Sequence, residues 1–404
     1  MWFIEVARRT SHVRWVVVTS EGGASACRRR GLDAEFIITS HEVEVNGLIG
    51  IYLMRTIKGI WHTRHIRPDI VEATSDAPPD VLPALWHRLA RQRKGANTRT
   101  LDPSIYRSEG YPKRARWVQR VFHIVPRRRG RMVAHAVQWF DHVIVAALAD
   151  SVVVDSEILR RDLVRRGIGR NRITVSKPGV TALPMGKEAE PAPAHGLYIG
   201  RLMPSKGVLE LPAIWARVVE RIPDARLFIA GYGSVSIVRR LQEKIAASGL
   251  SAHVAVLGFV PDTDLRALYD RARIFVFPSH EEGFGMAVLD AMSLGLPVVA
   301  WRIPALEENF ADAVDLVQEG DIEAFATRSI SLWSSDEQWS RRRGDARRCA
   351  ARYEWGVTAA TEYADVLAPL LDHRAVSRPR TRLKLTGTPR NLTGPTTPPG
   401  QGLR

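Results

Sequence analysis

The stretch 273–301 constrains the fold more than any other part of the chain. Arg273 to Phe277 is a short apolar, β-branched and aromatic run, the pattern of a buried strand. Pro278 and Ser279 close it. Gly283 and Gly285 then predict a turn into a helix opening at Met286, in which Met286, Leu289, Met292 and Ser293 share a side. Gly295 and Pro297 predict the end of that helix, and 297–301 reads as a second buried strand. Glu282 therefore stands on a loop at the carboxyl end of a strand, beside a helix start. In a parallel sheet that is where ligands bind. Free N–H groups of such a turn suit phosphate oxygens, and a nearby carboxylate suits hydroxyl groups. Asp290 follows one to two turns into the helix.

The alternation of strand and helix extends in both directions and predicts an α/β chain. At 404 residues, 45% of them hydrophobic, there is enough chain for two well-buried cores. The expected layout is a Rossmann-like first domain over 1–180 and a linker over 181–195, rich in Pro, Ala and charge. A second domain over 196–354 and a helix over 355–372 that packs back toward the first domain follow. The basic tail 373–404 lacks periodicity and is expected to be disordered. A doubly wound domain normally begins strand, turn, helix. Here residues 2–9 read as the last turns of a helix and His12 to Ser20 as a strand, so the first domain reads as lacking its opening strand, which either lies upstream of Met1 or is missing from the protein.

Cys27 and Cys349 have no metal-ligand spacing, and a reduced cytoplasmic setting is the default. No run approaches the roughly 18–20 apolar residues of a membrane span. The net charge of +15 favours anionic partners. Residues 113–131 concentrate that base: Arg114, Trp117, Val118, Val121 and Phe122 mix basic, apolar and aromatic groups at helical spacing. They could rest on anionic lipid at the inner face of a membrane. The other reading is a helix packed on the core with solvated arginines outside. No RNA-module motif is present, so a nucleic-acid partner is not expected. The sequon at Asn391 and the acids of 262–264 read as incidental and as a helix cap.

Three elements of the second domain fall at strand carboxyl ends: Arg201 with Lys206, the turn 231–233, and Glu282 with its glycines. If the sheet is parallel they converge on one crevice. Two nearby cations and helix-start N–H groups would make a pyrophosphate cradle, each charge-assisted hydrogen bond contributing roughly 1.5–3 kcal/mol.

Residues 195–365 resemble the family 4 glycosyltransferases of GT-B fold. The likeness rests on "YIGRLMPSKGVLEL", "PDARLFIAGYG", "VLGFVPDTDLRALYDRARIFVFPSHEEGFGMAVLDAMSLGLPVVAW" and "EENF". It implies two Rossmann-like domains facing across a cleft. It also implies transfer, with retention of configuration, from a nucleotide-sugar donor to a sugar or lipid-linked acceptor, with no metal or other cofactor. By position, Arg201 and Lys206 would hold the diphosphate and Glu282 the sugar, these three being the catalytic set. Gly200, Gly231, Gly233, Gly283, Phe284, Gly285, Met286 and Asp290 would complete the donor site. The family's second acid is usually Glu; Asp290 is one methylene shorter. Members often carry a His near the reacting sugar, where this chain offers Leu101 and Asp102; His65 and His87 are the alternatives. The alternative function is a donor-binding or scaffolding protein of the same fold without transferase activity.

Overall fold

The structure, a computed structural model, describes residues 2–40, 48–75, 77–90, 114–122, 132–180 and 195–372. In the first half, helices and strands alternate as α1 (Trp2–Arg9), β1 (Val16–Ser20), α2 (Glu21–Arg29), β2 (Glu35–Ser40), α3 (Leu48–Thr63), β3 (Ile70–Ala73) and α4 (Pro78–Leu89). β4 (Arg116–Val121), α5 (Met132–Leu148), β5 (Ser151–Val154), α6 (Glu157–Arg165) and β6 (Ile173–Val175) follow. β1 pairs with β2, and β3-β4-β5-β6 form a separate parallel sheet in that order. Among the described residues no strand joins β1 to β3.

The second half runs β7 (His195–Ile199), α7 (Leu211–Arg221), β8 (Arg226–Ala230), α8 (Val235–Ala247), β9 (Val254–Gly258), α9 (Asp262–Arg271), β10 (Ala272–Phe277) and α10 (Met286–Ser293). β11 (Val298–Trp301), α11 (Pro304–Phe310), β12 (Asp315–Val317), α12 (Ile322–Ser334) and α13 (Asp336–Ala350) complete it. Its six parallel strands lie in the order β12-β11-β10-β7-β8-β9. The chain moves outward from β7 to β9, then returns to place β10 on the other side of β7. That reversal opens a crevice between the loops following β7 and β10. Their strands are apolar because both faces are covered: Leu197, Ile274, Phe275 and Val276 have no exposed surface. Arg201 and Lys206 follow β7, and Glu282 follows β10, so the topology brings the sequence-predicted residues to one crevice.

The last helix, α14 (Trp355–Glu362), passes through a π turn (Tyr363–Leu367) into α15 (Ala368–Leu371) and packs against α1. Its anchor is Glu362, 2% exposed, which accepts from Trp2 Nε1 at 2.7 Å, Ser176 Oγ at 2.8 Å and Arg120 Nη1 at 3.0 Å. Arg120 also pairs with Glu72. Burial alone would pull the Arg120 pKa down; Glu72 and Glu362 outweigh it and push it well up. Nearby, Val180 N donates to Tyr353 O at 2.8 Å, and Val180 bridges Glu354 in parallel. The chain thus leaves the first half beside the point where it re-enters.

One expectation is overturned here. Residues 116–121 are not part of an amphipathic helix but strand β4, paired on both sides by β3 and β5. Trp117 and Val121 are fully buried and Arg120 is 2% exposed. Strand β4, the greater share of the described part of 113–131, is therefore core and cannot rest on lipid. Arg120 looked like a surface base because the carboxylates that neutralise it, Glu72 and Glu362, lie 48 and 242 residues away. Residues 123–131, Leu101, Asp102, the tail and Asn391 lie outside the described residues. No helix among the described residues is long and apolar enough to cross a membrane.

Candidate functional site

Backbone hydrogen bonds tie the three loops of the crevice together. Leu202 N donates to Tyr232 O at 2.8 Å, joining the loop after β7 to the turn after β8. His280 N donates to Ser205 O at 3.0 Å, joining it to the loop after β10. Gly231 is needed where the first two loops meet. Its φ is 144°, and a Cβ there would lie 1.7 Å from Gly200 O. Gly200, Gly231 and Gly233 thus line the closest approach of β7 and β8, with Leu202 bridging Gly233.

At the centre Lys206 Nζ lies 2.6 Å from Glu282 Oε1 and 2.5 Å from Glu281 O. Ser279 Oγ, which the sequence reading passed over, donates to the same Glu282 oxygen at 2.9 Å. Both charged side chains are 13% exposed, buried enough to hold one geometry and open enough to meet a ligand. Arg201 is exposed at the rim, and its carbonyl accepts from Tyr198 at 3.2 Å. Burial raises the Tyr198 pKa; Glu282 adds to the rise and Arg201 opposes it, which puts both charges near one phenol.

The turn 283–285 leads into α10, where Gly285 precedes the helix with φ 102°. Phe284 is buried edge-on against Phe310 and Tyr353, and Met286 packs by Trp2 and Trp355. These two residues therefore offer backbone rather than side-chain contacts to a ligand. Asp290 is half-buried in α10, close enough to Tyr269 to add to the rise that burial imposes on that phenol's pKa. His280 holds the far side of the loop, 2.7 Å from Glu210 and 2.6 Å from Glu319. Burial would lower its pKa, but the two carboxylates outweigh that and raise it.

The first half reaches the site through a residue no motif marked. Asp155, at the end of β5, is 3% exposed. A Cβ on Gly283 would lie 2.9 Å from Asp155 Oδ2 and 2.2 Å from Phe122 O, so the glycine is what lets the two halves close here. Glu308 of α11 crosses the same boundary and caps α6, accepting from Glu157 N at 2.8 Å and Ile158 N at 3.1 Å. His87 lies elsewhere, bonded to Thr63 Oγ1 at 2.9 Å between α4 and α3, with a pKa lowered by burial. His65 is exposed.

Burial pushes the Asp155 carboxyl up to about 7; the Ser156 hydroxyl opposes this, and Glu308 and Glu282 add to it. Its ordinary value is 3.8, so the folded state holds a proton that the unfolded chain releases between those values. The associated stability is full below 3.8 and is lost as pH rises to about 7. Asp155→Asn is expected to raise stability at pH 8 by roughly 2–4 kcal/mol and to change little at pH 4. Chemical denaturation of both proteins across that range checks it; a gain equal at both pH values would remove the assignment.

Residues 194–335 match the family model described as Glycosyl transferases group 1. The chain is 30% identical over 237 residues to the GDP-mannose:cellobiosyl-diphosphopolyprenol alpha-mannosyltransferase of Xanthomonas oryzae pv. oryzae (strain PXO99A). It is 36% identical over 169 residues to a D-inositol 3-phosphate glycosyltransferase of Corynebacterium urealyticum. The first alignment covers 57% of this chain and the second 40%, and they span 62% and 40% of those relatives' lengths. Among solved structures, Anabaena HepE in complex with UDP-glucose superposes with a TM-score of 0.68 at 17% identity, covering 91% of this chain and 94% of that one. Sucrose-phosphate synthase from Thermosynechococcus elongatus gives 0.64 at 17% identity, covering 83% and 84%. These likenesses establish the fold as GT-B, with Rossmann-like sheets as the sequence pattern implied.

Proposed function

Because residues 194–335 match the family model described as Glycosyl transferases group 1, we propose that this chain transfers a sugar from a nucleotide-sugar donor, with retention, to a lipid-linked or small glycoside acceptor. The observation that carries the reading is the Lys206–Glu282 pair at the switch point of a parallel sheet. A cation and a hydroxyl-accepting carboxylate one hydrogen bond apart match a diphosphate and the sugar covalently next to it. Lys206 and Arg201 bind the diphosphate, and the amides at 283–285 face it from the start of α10. Glu282 orients the sugar, with Ser279 holding its carboxylate, and Asp290 takes the ribose. As the bond from the anomeric carbon to the phosphate oxygen breaks, charge builds on the leaving diphosphate, where the two cations stabilise it. The acceptor oxygen bonds to that carbon, and its proton passes to the departing phosphate on the same face. No metal is required for this scheme.

The relatives' printed names supply the first donors and acceptors to try: GDP-mannose with a diphosphopolyprenol-linked disaccharide, and UDP-glucose. The protein is expected to be stabilised by one nucleotide sugar, by about 2.7 kcal/mol at a hundred times its Kd, and to release nucleoside diphosphate when acceptor is added. Stabilisation by a donor without release, across a broad acceptor set, would favour a donor-binding protein instead. No stabilisation by any nucleotide sugar would overturn both readings.

A further inference from the structure

We propose that the outer face of the helix layer α3–α4–α5 is a docking surface for an anionic lipid bilayer. The three helices form one layer. A Cβ on Gly59 of α3 would sit 3.3 Å from Pro83 of α4, Thr63 bonds His87, and Arg88 Nε of α4 donates to the carbonyl of Leu148, the last residue of α5, at 3.2 Å. Their inward faces are covered, with Thr56 and Thr63, Val81 and Ala84, and Val145 buried.

Their outward faces are not polar, as a solvated layer's would be. Leu53, Ile57 and Trp61 of α3 are 61%, 57% and 61% exposed, at i, i+4 and i+8. Trp86 of α4 and Trp139 and Phe140 of α5 are about as open. Scattered apolar residues on a surface are ordinary, but four large aromatic rings on one helix layer are not. Tryptophan favours the headgroup level of a bilayer, where its ring is apolar and its N–H stays wet.

Charge selects the partner. No Asp or Glu occurs between Gly47 and Pro68 or between Val81 and Leu101, while Arg55, Lys58 and Arg64 fall in the first span. The single acid of α5, Asp141, is buried. Arg64 lies over the Trp61 ring at 3.6 Å, setting a cation beside an aromatic group. A second copy of this chain would meet the same cations and repel them. A negatively charged lipid surface meets both the rings and the base.

The surface is separate from the Lys206–Glu282 crevice and does not depend on the transfer reaction. The test is flotation of the full chain with vesicles of equal parts phosphatidylglycerol and phosphatidylcholine, against vesicles of phosphatidylcholine alone. The protein is expected to float at least about tenfold more with the anionic vesicles. The variant Trp61→Ser/Trp139→Ser/Phe140→Ser is expected to lose about tenfold of that binding, with unchanged melting temperature and unchanged stabilisation by nucleotide sugars. The basic C-terminal tail is intact in the variant, so binding that survives in full would belong to the tail and overturn the proposal. Absence of flotation by the wild-type chain would also overturn it. So would a wild-type dimer that the variant converts to monomer without any change in vesicle binding.

Discussion

Replacing Lys206 by alanine is expected to lower kcat roughly a hundred- to a thousandfold, the usual effect of removing one donor aimed at developing charge. The physical reason is local. Lys206 is the cation nearest Glu282, and without it that carboxylate faces the donor diphosphate uncompensated. Donor affinity is expected to fall as well, because the same cation meets the diphosphate in the ground state. The fold should survive, since the Lys206 side chain borders the crevice and, among the described residues, bonds only to Glu282 and the Glu281 carbonyl. Steady-state kinetics with a saturating acceptor, beside donor titrations, separates the two effects. Turnover within threefold of wild type would remove Lys206 from the chemistry.

The largest loss of stability is expected at Arg120. Arg120→Met leaves Glu72 and Glu362 facing each other in the core without a cation, and breaking a buried pair from one side costs about 3–5 kcal/mol. Glu362→Gln is expected to cost less, because its amide oxygen still accepts from Trp2 and Ser176 while Arg120 keeps Glu72. Urea unfolding of the two variants gives the comparison. An Arg120→Met protein within 1 kcal/mol of wild type, the range of an exposed pair, would show that the network is not a stabilising anchor of the last helix.

How much of this was legible in the sequence depends on the range of each interaction. The strand from Arg273 and the helix from Met286 are written in local periodicity and in Gly and Pro stops, and the sequence reading finds them. The residues at strand ends, Arg201, Lys206 and Glu282, are legible for the same reason: in a parallel sheet, position along a strand fixes which edge a loop occupies. β4 was not legible. Its Arg116, Gln119 and Arg120 break the alternation of an exposed strand and the apolar run of a buried one. What neutralises Arg120 is a pair of carboxylates distant in sequence, Glu72 of β3 and Glu362 of the last helix. Asp155 was hidden likewise. Within its own segment it reads as the residue before a helix cap, and only the contact with Gly283, 128 positions on, makes it part of the crevice.

The paired crossing at Val180 and Tyr353–Trp355 has a mechanical consequence. A two-domain protein joined by one strand can swivel as well as bend. Here two chain segments run side by side, locked by a backbone hydrogen bond and by Gly179, where a Cβ would lie only 2.2 Å from Trp355 N. Such a double ply resists torsion while still permitting flexure about the axis across it. A relative motion of the two halves would then follow one hinge-like arc, and the close approach of Gly283 to Phe122 O would limit it. A side chain added at 283 would act as a wedge in that jaw, setting its resting angle from a point far from the pivot.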